Sequence, residues 1–133
     1  SSPAFAASTS YEDALKSSSA LYEKGQFQEA IPFAKQALAL AEQEVGTDDE
    51  AFAGLLDNLA ALYEAELRYV EAKPLYQRAL DIRVKIYGAK HPEVVKSLIN
   101  LALIYDALGD YRTAVKMDAR AIEIIETENL RGA

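Results

Sequence analysis

The sequence predicts an all-α protein built as an array of stacked helix pairs. Three observations carry that expectation. Small and aromatic residues recur at a fixed step of 42 positions: Ala30, Ala72 and Ala114; Phe27, Tyr69 and Tyr111; Ala37, Ala79 and Ala121. From Tyr11 onward Ala, Leu, Glu, Lys and Gln dominate, all good helix formers, without alternating strand patterns or Asn-Gly hairpin signals. Glycines fall at regular places where helices should stop. A fixed period of this length marks a repeat architecture, in which each unit hides its apolar face against the next.

Residues 1–10, SSPAFAASTS, are small, uncharged and without periodicity, and predict a flexible arm. Within it Ala4-Phe5-Ala6 has the small-x-small form of a signal-peptide cleavage region, so a cytoplasmic and an exported location both stand. A single repeat domain is expected over 11–130, with repeats at about 11–50, 51–92 and 93–130 and a tail at 131–133. Each repeat should be a helix of about four turns, a tight turn, and a longer second helix. Gly25 and Gly109 mark the inner turns of repeats 1 and 3, with Leu67 between them in register. Gly46 and Gly88 should close the second helices of repeats 1 and 2 as left-handed caps. Asp48, Asp49 and Glu50 place negative charge at the next helix N-terminus. His91-Pro92 starts the following one, since proline is tolerated in a first helical turn.

Composition excludes several function classes. A chain of 133 residues, half of them apolar and about a quarter charged, fits one domain with a real core. The net charge of −7 argues against nucleic acid and against anionic membrane surfaces as partners, since both require a basic face. The longest apolar stretch, Ser97 to Tyr105, is far short of a membrane span. The absence of cysteine removes disulfides, thiolate nucleophiles and thiolate metal sites. No metal or cofactor is expected. His91 is the sole histidine and reads as a helix-start residue, Ser17-Ser18-Ser19 lacks nucleophile-elbow glycines, and Asp48-Asp49-Glu50 lacks the spacing of a calcium loop. With no assembled constellation, the chain reads as a non-enzyme.

Leu59-Ala60-x-x-Tyr63 followed by Tyr69-x-x-Ala72-x-x-x-Tyr76-x-x-Ala79 resembles a tetratricopeptide repeat, and Leu101-Ala102-x-x-Tyr105 followed by Gly109-x-Tyr111-x-x-Ala114 repeats it. The 42-residue step, with Pro74-Leu75-Tyr76-Gln77-Arg78-Ala79-Leu80 and the Gly88…His91-Pro92 link, is similar to the longer repeat of kinesin light chains. HEAT and armadillo arrays share the repeat length but do not explain this order of residues. Repeat 1 departs at Ser18, Leu21 and Ala34, and repeat 3 at Asp118, an acid where Tyr76 stands. The resemblance implies a right-handed superhelical solenoid of three antiparallel helix pairs. It also implies a scaffold that holds a partner's peptide or helix on its concave side, lined by the first helix of each pair.

By that register the partner-binding groove takes Glu12, Leu15, Ser19, Tyr22 and Glu23 from repeat 1. Repeat 2 supplies Asp57, Asn58, Ala61, Glu64 and Ala65, and repeat 3 supplies Lys96, Ile99, Asn100, Leu103, Asp106 and Ala107. Asn58 and Asn100 stand at equivalent positions, and an amide can both donate to and accept from a bound main chain. Lys96 is the only cation of the set and acids outnumber it, so the expected ligand is an amphipathic, basic protein segment. A second expectation is self-association. Ile122 and Ile125 leave an apolar outer face on the last repeat, which must stay exposed, be covered by another copy as a homodimer, or be continued by further repeats.

Overall fold

The computed structural model describes residues 10–132. The expected arm up to Thr9, with its Ala4-Phe5-Ala6 triplet, lies outside the described residues, as does Ala133. Six α-helices form: α1 (Tyr11–Glu23), α2 (Phe27–Glu44), α3 (Glu50–Ala65), α4 (Tyr69–Tyr87), α5 (Val95–Ala107) and α6 (Tyr111–Gly132). A 3₁₀ turn at Pro92–Val94 leads into α5, and α6 runs through Arg131 and Gly132, two of the residues expected as a tail. Consecutive helices pair as α1 with α2, α3 with α4 and α5 with α6, while α2 packs on α3 and α4 on α5. The chain therefore forms the all-helical solenoid of three antiparallel pairs that its period predicts.

Helices α1 and α3, and the 3₁₀ turn that leads into α5, each start on a side-chain cap that satisfies an otherwise orphaned amide. Ser10 Oγ accepts from the Asp13 N–H at 3.2 Å and Asp49 Oδ1 from the Ala51 N–H at 2.8 Å. His91 Nδ1 accepts from the Glu93 N–H at 3.1 Å, and its ring stacks on Tyr87 at 4.9 Å. Asp110 starts α6 by accepting from both the amide and the hydroxyl of Thr113, and those two bonds hold its carboxyl below the usual range.

The inner turn of every repeat needs one residue with positive φ. Gly25 (74°) and Gly109 (86°) supply it without strain, whereas repeat 2 places Leu67 there at 59°. An L side chain in that region costs about 1–2 kcal/mol, so packing elsewhere in repeat 2 holds the turn against its local preference. Gly88 departs from the expected left-handed cap. Its φ of 100° comes with a ψ of 154°, an extended mirror-image conformation that redirects the chain toward His91.

The alanines of the 42-residue period are buried inside the stack. Ala30, Ala37, Ala60, Ala72 and Ala79 are completely buried, and Ala102, Ala114 and Ala121 nearly so. The core is continuous across repeats, as a stacked array requires. One cluster joins Leu59, Leu62, Tyr76, Leu80, Leu98, Leu101 and Ile104, and a second joins Ala14, Ala41, Phe52, Leu55, Leu56 and Ile82.

The two ends of the stack differ in chemistry. Leu55, Leu59 and Leu62 of α3 are buried, but the equivalent positions of α1 hold Asp13, Ser17 and Ala20. At the other end, Ile31, Ala34 and Ala41 of α2 and Tyr76, Leu80 and Arg83 of α4 are buried under the next helix. Their counterparts in α6 lie open: Val115 is 66% exposed, Ile122 53% and Ile125 42%. Tyr111 was expected to build the stack like Tyr69 but is 64% exposed, because no following helix covers it among the described residues.

Candidate partner-binding groove

The concave candidates meet at the α1–α3 junction. Leu15, Ser18, Ser19, Tyr22 and Glu23 of α1 face Asn58, Ala61 and Leu62 of α3 across a cleft of about 350 Å³. Leu15 and Ala61 are half-buried, Leu62 is 1% exposed, and Tyr22, Glu23, Ser19 and Asn58 stand at the exposed rim. The Tyr22 ring is held edge-on against Phe27 at 5.2 Å, which fixes one wall. Ser18 replaces the alanine of later repeats; its hydroxyl donates to the Ala30 carbonyl at 3.3 Å and so faces away from ligand chemistry.

The remaining candidates are spread along α1 and α5. Glu12, Lys96, Ile99, Leu103 and Asp106 are exposed, and Asn100 is half-buried. Glu64 is partly committed to the fold, since its carboxylate accepts the Tyr76 hydroxyl at 2.8 Å. Burial, and then that carboxylate, push the Tyr76 phenol well up.

Asp57 is a correction. Expected on the groove, it is instead 92% buried by the approach of α4 and α5, with 8% of its surface exposed. Arg83 Nη1 donates to Asp57 Oδ2 at 2.7 Å and to Ser97 Oγ at 2.6 Å, while Nε reaches both Glu50 oxygens at 3.1 Å. One guanidinium thus ties α4 to α3 and α5, across the boundary between repeats 2 and 3. Burial raises the Asp57 carboxyl above its usual value, although Arg83 works to lower it. Burial works to lower the Arg83 guanidinium, and the Asp57 and Glu50 carboxylates outweigh that and raise it. Asp57 Oδ1 is buried without a hydrogen-bond partner among the described residues.

Sequence reasoning missed this network, yet a signal existed. At the position of Asp57 the other repeats carry Leu15 and Ile99, and at that of Arg83 they carry Ala41 and Ile125. Two opposite charges on otherwise apolar positions of one repeat mark a buried pair. A second cleft, of about 770 Å³, was also unforeseen. It lies on the far side, between the α4–α5 linker (Tyr87, Lys90, His91) and the outer half of α6 (Arg120, Ile124, Arg131). Among the described residues no group of three His, Cys, Asp or Glu side chains is placed to hold a metal ion, and no helix is long and apolar enough to cross a membrane.

Stacked antiparallel helix pairs place the chain in the class of helical-repeat solenoids. Residues 50–127 match one model of the tetratricopeptide repeat and residues 18–51 another, and the chain belongs to that family. Among solved structures, BtubC (BKLC) from P. vanneervenii superposes with a TM-score of 0.83 at 23% identity, covering 90% of this chain and 48% of that one. A putative kinesin light chain of Podosopora anserina, described as having nearly identical TPR-like repeats, gives 0.75 at 24% identity, covering 85% and 54%. Both likenesses concern the fold. Curated relatives include the clustered mitochondria protein homologs of Lodderomyces elongisporus, 30% identical over 101 residues, and Meyerozyma guilliermondii, 33% identical over 101 residues. The match takes in 76% of this chain in each case but only 7% and 8% of those proteins.

Proposed function

We propose that this domain is a non-catalytic scaffold that binds a basic, amphipathic segment of a partner protein along the α1–α3–α5 side. The observation that carries the reading is the α1–α3 cleft, which gathers Leu15, Tyr22, Asn58 and Ala61, four of the residues that the family resemblance and the repeat register pick out. An apolar floor with a polar, acidic rim is the usual form of a segment-binding site. Asn58 and Asn100 hold the main chain through their amides, and Glu12, Glu23 and Asp106 attract the cations.

A peptide array probed with the labelled domain tests this directly. Amphipathic peptides carrying Lys or Arg are expected to bind better than matched peptides carrying Asp or Glu, and the reverse order overturns the proposal. Asn58→Ala combined with Asn100→Ala is expected to weaken the best peptide by roughly thirtyfold in Kd, from two net hydrogen bonds of ~1 kcal/mol each.

The exposed stripe of Val115, Ile122 and Ile125 favours a second reading, a homodimer in which a second copy covers the outer side of α6. Light scattering at micromolar protein is expected to give twice the chain mass of 14.6 kDa. A strict monomer at that concentration overturns it.

A further inference from the structure

The α1–α3 cleft differs from the next junction along the same groove, and the difference is written in the repeat. The position of Ala61 is Leu103 in α5, so a larger side chain occupies the equivalent place one repeat later. The position of Leu15 is Asp57 in α3, which Arg83 draws into the interior. Repeat 1 therefore keeps a cavity that a small residue on each wall leaves open, Ser19 on one helix and Ala61 on the other. Its floor is apolar, from Leu15, Ala61 and Leu62, and the Ser18 hydroxyl is already engaged with the Ala30 carbonyl. Among the described residues Glu23 is the only charged side chain on the lining.

We infer that this cleft is the anchor subsite of the groove: it takes one large aliphatic side chain of the partner segment, with a lysine or arginine next to it placed on Glu23. The inference rests on the groove reading and narrows it to a two-residue recognition element, an apolar residue adjoining a cation. An apolar floor accepts a side chain of leucine or methionine size because nothing in it demands a hydrogen bond. Asn58, on the rim, is within the same cleft and meets the main chain of the anchor residue. Charge complementarity with Glu23 sets the neighbour and excludes an acid there.

The probes are three capped dipeptides, acetyl-Leu-Lys-amide, acetyl-Leu-Glu-amide and acetyl-Ser-Lys-amide, titrated into ¹⁵N-labelled protein. Acetyl-Leu-Lys-amide is expected to shift the amides of Ser18, Tyr22, Ala61 and Leu62, binding about two- to fivefold more tightly than acetyl-Leu-Glu-amide, the range of an exposed ion pair. Acetyl-Ser-Lys-amide is expected to leave those amides unmoved. Ala61→Leu copies the residue that the next repeat already accommodates and is expected to abolish the shifts with the fold intact. Ser19→Leu fills the cleft from the opposite wall and serves if the first variant fails to fold. Glu23→Lys is expected to reverse the preference between the Lys and Glu dipeptides. Shifts that survive both filled variants, or equal shifts with the serine dipeptide, overturn the anchor assignment. Shifts confined to Asn100 and Leu103 also overturn it while leaving the groove reading standing. The groove reading itself falls if array peptides bind equally well to wild type, to Ala61→Leu and to the double asparagine variant.

Discussion

Arg83→Ala is expected to lower the unfolding free energy by about 3–5 kcal/mol at pH 7, the usual cost of removing one partner from a buried ion pair. The side chains of Arg83 and Asp57 are 7% and 11% exposed, so water cannot replace the lost contact. The deficit should depend on pH with a definite sign. Burial already raises the Asp57 carboxyl above 3.8, its usual value, and removing the guanidinium raises it further. A carboxyl raised in the folded state contributes most when protonated, and that contribution is lost as pH rises through the folded value. The gap between wild type and Arg83→Ala should therefore narrow as pH falls toward 3.8, and Asp57→Asn in the same background should flatten that dependence. Urea melts of the three proteins at several pH values check this. Replacing the whole network is a different matter. Asp57→Leu with Arg83→Met and Ser97→Ala removes every buried charge and is expected to come within about 1 kcal/mol of wild type or exceed it. Leu15 already shows that leucine is used at the position of Asp57.

Leu98→Ala is expected to cost about 2–5 kcal/mol, with no change in the slope of the urea melt. Leu98 is completely buried and belongs to the core cluster that spans all three repeats, so its removal leaves a cavity walled by several helices. The matched control is Leu130→Ala. Leu130 is 79% exposed, and its truncation should stay within about 0.5 kcal/mol. A comparable loss at both positions would mean that the α5–α6 pair does not pack as described.

The repeat was legible because its determinants are local and periodic. Ala72 and Ala114 announce close helix contacts from spacing alone, and the N-caps at Asp49 and Asp110 are readable from residue type. The register places Leu15, Tyr22, Asn58 and Ala61 on the first helices of their pairs, and the α1–α3 cleft brings them together. The burial of Asp57 was not legible in this way, since it depends on a guanidinium 26 positions away on another helix and on a serine of the next repeat. Such a contact shows in the period only as a departure, two opposite charges at Asp57 and Arg83 where the other repeats carry apolar residues. Leu67 stands in register with Gly25 and Gly109, but its own residue type does not announce the positive φ that the fold imposes there. The cleft beside α6 depends on the path of the Tyr87–His91 linker, which stacking of those two rings sets and spacing does not.

The unlike ends of the stack bear on symmetry. A heterologous, head-to-tail contact needs the apolar stripe of one copy to meet a matching apolar surface on the first helix of another. Asp13, Ser17 and Ala20 present no such surface on the first helix, so the stripe meets no like counterpart there. In the proposed homodimer the contact through Ile122 and Ile125 is isologous, the same patch used twice about a dyad, and it closes after two chains.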